Sequence, residues 1–326
     1  MPHEHALSRN PRHEAGEIAG PGLAAVVFEP SPPAVTTEPW FADDPVDRGD
    51  AVGPVLAPTG IAADRCWDEW LVEHPEYEQW VAERWLGGAR RLPPVPRSLG
   101  DTRTSLHRLA AYVIAPTRHR SVGRFGLRWT LGGFGTPFFD DDRQIRVEHN
   151  VLIDQRGTRT ESAPITTLAA AAAFLGTDID PGTAAEHDTP PVGDPDELLV
   201  VERASSEFLG AWFGMAFAAL EVFRSDGATI APSRPQLWPG HFDPAIEAGD
   251  DDHRASYGAS PGDTLIAEPY LYVSVWWPER ADIDESALVW NAPTFTGRVL
   301  RISEFGAGDP VENATEFWTT TRDLLG

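Results

Sequence analysis

Two stretches, "GRFGLRWTLGGFG" and "EPYLYVSVWW", limit what this chain can fold into more than any others. In the second, Tyr270, Tyr272, Ser274 and Trp276 alternate with Leu271, Val273, Val275 and Trp277, so the two sets leave opposite faces of an extended strand. In the first, Phe125, Leu127, Trp129 and Leu131 point one way and Arg124, Arg128 and Thr130 the other. A strand with one apolar face needs a second layer to cover it. The chain supplies helices for that purpose. In "DTRTSLHRLAAYVIAP", Leu106, Leu109, Ala110 and Val113 share a face, Asp101 or Thr102 can cap the start, and Pro116 is expected to stop the helix. Short strands follow at "QIRVEH", "NVLIDQR" and "TRTESAP", with His149-Asn150 turning between the first two, and "TTLAAAAAFLG" forms a helix ending at Gly176.

After an acidic, Pro-rich loop over residues 177–196 the pattern recurs. An apolar helix over about 205–224 leads to a strand through "RPQLWPGHFDPAIEAG", then the aromatic strand, then "GRVLRISEF" and a closing helix. The expected fold is α+β, an antiparallel sheet packed against helices. Two helix–strands–helix halves, about 101–176 and 204–326, are a hypothesis of topology, since no residue identity links them. Residues 61–326 are expected to form one domain. Its helical N-terminal segment, 62–88, spaces Trp67, Trp70 and Leu71, then Tyr77, Trp80, Val81 and Trp85, as helix faces require. Residues 1–60 are acidic and rich in Pro, Ala and Gly, and read as a disordered tail.

Composition removes whole classes of chemistry. The 326 residues carry 50 Asp and Glu against 26 basic residues, a formal net charge of -24. That field repels a phosphate backbone, so no nucleic-acid partner is expected. Every one of the basic residues is Arg, a usage that points to a GC-rich bacterial genome. Without lysine there is no Schiff base to pyridoxal phosphate and no Walker-type phosphate lysine. Cys66 is the only cysteine, which excludes disulfide frameworks and Cys-based zinc sites within one chain. The acidic, His-rich start fits no signal peptide, and no apolar run approaches the ~20 residues that cross a bilayer. A cytoplasmic chain with no membrane partner is therefore expected. No cofactor and no metal site is expected, and Asp140-Asp141-Asp142 and Asp250-Asp251-Asp252 read as solvated turns.

Gly258-Ala-Ser260-Pro-Gly262 matches the G-x-S-x-G of a hydrolase nucleophile elbow. Three features argue against it. The preceding "EAGDDDHRAS" reads as a loop. Pro261 has no N–H to give an oxyanion hole. All ten histidines precede Ser260. Ser260-Pro261-Gly262-Asp263 instead carries the residues of a type II turn. The glycine run "LGGFGTP" lacks a nucleotide-binding pattern and suits a bulge or bend. The strongest polar constellation is His241 and Asp243, two residues apart and so on one face of a strand. An Asp there can orient a His and raise its basicity. With Arg128, Trp238, Glu268, Tyr270, Tyr272 and Trp276 as walls, the pair would face a ligand pocket.

The passage "LPPVPRSLGDTRTSLH" resembles the opening of a bacterial family known only as a domain of unknown function, where an LP segment leads into a T-x-x-[TS]-L-H helix start. Thr102, Ser105, Leu106 and His107 match it, and Trp238, Phe242 and Asp243 in "WPGHFD" are similar to the family's W-G-x-F-D core. The resemblance covers about residues 92–326. It implies the order of elements, adds weight to His107 and Asp243, and carries no catalytic residue. Two classes of function remain open from the sequence: a small-ligand-binding or scaffold protein with an aromatic pocket, or a hydrolase or metal-assisted enzyme using His241 and Asp243 with His107. Oligomeric state is not legible.

Overall fold

The computed structural model describes residues 92–326 apart from 131, 138, 141–142, 157–158, 187, 234 and 280–288, together with Pro75 and two short strands. Those strands, β1 (Phe41–Pro45) and β2 (Leu56–Pro58), pair antiparallel inside the stretch read as tail. The helical segment expected over 62–88, Pro75 apart, lies outside the described residues.

The fold is α+β, with two antiparallel five-stranded sheets and their helices. The first unit opens with α1 (Leu99–Leu109), a π-helical turn (Ala110–Ile114) and α2 (Ala115–Val122). Five strands follow in sequence order, β3 (Arg128–Thr130), β4 (Gly133–Gly135), β5 (Arg143–Glu148), β6 (Val151–Arg156) and β7 (Arg159–Pro164), and α3 (Leu168–Leu175) closes the unit. The second unit repeats the plan. The long α4 (Arg203–Ser225) precedes β8 (Gln236–Trp238), β9 (Asp243–Ala248), β10 (Ala255–Ser260), β11 (Tyr270–Val275) and β12 (Gly297–Arg301), and α5 (Pro310–Leu325) ends it. Each sheet is a meander. Their first strands touch through a reciprocal backbone pair, Leu127 with Leu237, at 2.9 and 2.8 Å.

Several local expectations change. Pro116 does not stop the first helix, which runs on to Val122 and ends at Gly123 in the left-handed region (φ 70°). A proline clashes with the carbonyl four residues back. Here the π turn precedes it, and the Tyr112 carbonyl accepts the Asp180 N–H instead (3.0 Å). The helix starts at Leu99, ahead of Asp101 and Thr102, and the Ser98 hydroxyl ties that start to Glu202 and Ser205. "GRFGLRWTLGGFG" is a hairpin and not one strand, turning at Gly132 (φ 80°). "RPQLWPGHFDPAIEAG" is likewise a hairpin, β8 to β9.

One continuous core joins both units. Leu271, Val273 and Val275 of β11 and Tyr257 and Ala259 of β10 are buried on the inner face of the second sheet, where α4 and α5 pack. α4 also packs on β3 and β4. Over Arg203–Arg224 it is long and apolar enough to cross a membrane by length and composition, contrary to the sequence expectation that no run qualifies. It is 76% buried over that window, so its apolarity serves the core between two sheets.

Candidate functional site

The outer face of the second sheet carries the site. Tyr270, Tyr272 and Ser274 of β11 with Trp276 just past its end, Ser256 and Ser260 of β10, and Asp243, Ala245 and Glu247 of β9 project there, as period-two alternation requires. They floor a cavity of about 570 Å³. Its walls come from α1 (Arg103, Thr104, His107), from the loop joining the two units (Glu186, Asp188), and from Trp238, His241 and Phe295.

The turn between β8 and β9 sets the polar groups. Phe242 holds a positive φ of 58°, costly for a bulky residue, and its N–H returns to the Trp238 carbonyl at 2.6 Å. Packing holds it there: the Phe242 ring is fully buried against Phe134, Phe213 and the parallel imidazole of His107. With Phe242 driven inward, His241 turns to the cavity and Asp243 begins β9. The two thus reach one site from a turn and a strand end, and not from alternate positions of one strand.

His241 Nδ1 donates to Asp188 Oδ2 at 2.7 Å. Desolvation pulls the imidazole pKa down, but the Asp188 hydrogen bond and the charges of Asp243, Asp188 and Glu186 outweigh it, so the net shift is upward. Asp243 is buried. Its Oδ2 accepts the Tyr272 hydroxyl at 2.5 Å, while its Oδ1 has no hydrogen-bond partner. Burial raises its pKa, and Asp188 adds to the rise against the opposing pull of His241 and Tyr272. Burial also pushes the Tyr272 phenol well up. His107 is a different kind of histidine. Its Nε2–H donates to the Gly240 carbonyl (3.1 Å), and burial lowers its pKa to about 3. It is a neutral prop for the turn.

Gly258 explains how Tyr272 reaches Asp243. The two glycine and tyrosine backbones are paired across β10 and β11, and any Cβ on Gly258 would collide with the Tyr272 ring. Beneath the floor, Arg254 grips Glu247 Oε2 through Nε and Nη2 at 3.1 and 3.0 Å, with Trp276 over its guanidinium. Arg103 spans to the carbonyls of Pro261 and Ala267, both at 3.3 Å, and Asp263 accepts the Leu265 and Ile266 N–H groups and the Tyr270 hydroxyl.

Of the residues singled out in the sequence, His107, Trp238, His241, Asp243, Tyr270, Tyr272 and Trp276 line this cavity. Arg128 sits on β3 of the first sheet and Glu268 is held by the Ser303 N–H, so neither belongs to it. Asp188 and Glu186 were missed, because a loop of acids and prolines gives no periodicity to aim a side chain, and Arg103 of α1 was missed because its partners, the Pro261 and Ala267 carbonyls, are distant in sequence. Ser260 ends a strand, which corrects the loop read before it. The segment after it is no helix, Gly262 takes the positive φ (97°) of a turn, and its N–H donates to Ser260 Oγ at 3.1 Å. The elbow is therefore absent for the remaining reasons. Among the described residues, no group of three His, Cys, Asp or Glu side chains comes together as a metal site. No protein-family model, no curated protein and no solved structure matches the chain.

Proposed function

We propose that this chain binds a small organic molecule on the outer face of its second sheet. One observation carries the reading: a cavity of about 570 Å³ whose aromatic walls surround a few convergent polar groups. Pockets of that size and make-up are how proteins commonly hold small ligands, the rings supplying contact area and the polar groups orientation. The net charge of -24 fits a soluble chain, which we place in the cytoplasm with no nucleic-acid partner.

A second reading, acid–base catalysis on the bound molecule, is favoured by the His241–Asp188 hydrogen bond beside the buried Asp243. A carboxylate that orients an imidazole and a protonatable acid in the same cavity form a general acid–base pair. Binding is common to both readings.

Ser274→Phe tests the first. Ser274 is half-buried on the cavity floor, and a strand accepts an aromatic side chain there. In a thermal-shift screen of a small-molecule library, ligands should raise the wild-type Tm by about 5 °C or more near a hundredfold excess over Kd and leave the variant unmoved. Ligands that stabilise both alike would refute the site. His241→Ala then separates the two readings: lost turnover with retained binding supports catalysis, and lost or unchanged binding without any turnover supports a binding protein.

A further inference from the structure

The acidic groups of the cavity outnumber its cations. Glu186, Asp188, Asp243, Glu247 and Asp263 face Arg103 and His241. Most of these charges are already answered. Glu247 has Arg254, Asp188 has His241, and Asp263 accepts two backbone N–H groups and a phenol. Arg103 is spent on backbone carbonyls. Asp243 differs. It is 4% exposed, it lines the cavity, its Oδ2 takes the Tyr272 hydroxyl, and its buried Oδ1 has no hydrogen-bond partner. A buried acceptor left unpaired is costly, and one on a residue that lines a cavity marks where a ligand donor belongs.

The surroundings of that oxygen choose the donor. Tyr270, Tyr272 and Phe295 stand in sequence, with ring centroids 6.3 Å apart at each step. The faces of such rings carry negative potential and attract cations. An anionic ligand would add to the acidic excess, and a neutral alcohol would fill Oδ1 without offsetting it. A metal ion needs several oxygen or nitrogen ligands, and among the described residues no three His, Cys, Asp or Glu side chains come together to supply them. Resting on the small-ligand reading above, we propose that the pocket takes an organic cation, a primary or secondary amine whose N–H bonds the Asp243 carboxylate while its carbon frame lies on the Tyr270–Tyr272–Phe295 wall. Binding requires no covalent step.

The test uses matched fragments on the intact chain, each aromatic scaffold supplied as a primary amine, an alcohol and a carboxylate, with affinities read by ligand-observed NMR. Amines should bind about tenfold or more tighter than their alcohols, as a charge-assisted hydrogen bond to a buried carboxylate implies, and carboxylates should not bind. The comparison is made on the wild-type protein, so it does not depend on a variant folding. Asp243→Asn should then bring amine and alcohol to similar affinity, and Glu186→Gln, on the loop, should weaken the amines alone. Alcohols or carboxylates that bind as well as amines, and are lost in Ser274→Phe, would overturn the cation and leave the pocket standing. No binding by any member would overturn both.

Discussion

At the residue scale, the two cavity histidines are shifted in opposite directions, His241 up and His107 down. His107 is held neutral, its pKa lowered from 6.5 to about 3 by burial, with the Gly240 carbonyl only partly opposing. In the unfolded chain it protonates near its ordinary value, so between these limits the unfolded state binds more protons. The group therefore subtracts nothing above pH 6.5 and costs stability progressively as pH falls toward 3, by an amount on the order of a few kcal/mol. His107→Gln, which keeps a side-chain N–H donor, should lose stability at pH 7.5 and regain much of the difference at pH 4.5. Denaturant melts of both proteins at the two pH values check it, and a constant difference would contradict the neutral prop. Gly258 offers a second residue-scale outcome. Gly258→Ala should displace the Tyr272 ring and open its bond to Asp243, costing roughly 1–3 kcal/mol in denaturant melts. The sequence placed His241 and Asp243 together through alternation along a strand. Their meeting comes instead from a turn whose Phe242 backbone is held by packing, which no local pattern encodes. Arg128 does not line the cavity because alternation fixes the face of a strand and says nothing of which sheet it joins, and Glu268 does not because it precedes β11 in a bend, where its carboxylate accepts the Ser303 N–H.

Elements read more clearly than contacts did. α3 begins where Thr167 Oγ1 accepts the Ala170 N–H and stops at Gly176 (φ 67°), as Thr and Gly at those positions foretell. β11 shows the alternation of its sequence, with Leu271, Val273 and Val275 in the core and its tyrosines on the opposite face. Hairpins were harder. "GRFGLRWTLGGFG" hides its turn because the strands on either side of Gly132 are three residues each. The glycines of that run also answer to a distant partner. A Cβ on Gly210 of α4 would lie 2.8 Å from the Gly133 nitrogen and 2.9 Å from the Gly132 carbonyl carbon, so helix and hairpin meet backbone to backbone. Neither backbone can yield as a flexible side chain could. Gly210→Ala should cost roughly 1–3 kcal/mol despite improving helix propensity, and a gain in stability would show that α4 can shift on the sheet.

For the molecule as a whole, the repeated order of helix, five-strand meander and helix raises the question of whether each unit can stand alone. The core argues that it cannot. α4 belongs by sequence to the second unit, yet its buried Phe208, Trp212 and Phe213 share one cluster with Phe134, Ile145 and Val147 of the first. The Leu127–Leu237 pair also joins the sheets edge to edge. The site spans the same divide: His107 comes from α1, Asp188 from the connecting loop, and Asp243 and Tyr272 from the second sheet. Residues 92–200 expressed alone would expose the apolar faces of β3 and β4 that α4 covers, and residues 201–326 would lose the support under Phe242 that orients His241. Neither piece should show a cooperative thermal transition, whereas the full chain should unfold in one step with calorimetric and van't Hoff enthalpies in agreement. Mixing the two pieces should restore the transition only if they reassociate through α4. A cooperative melt from either piece alone would show that the units are independent domains, and the site would then be an interface between two folded bodies.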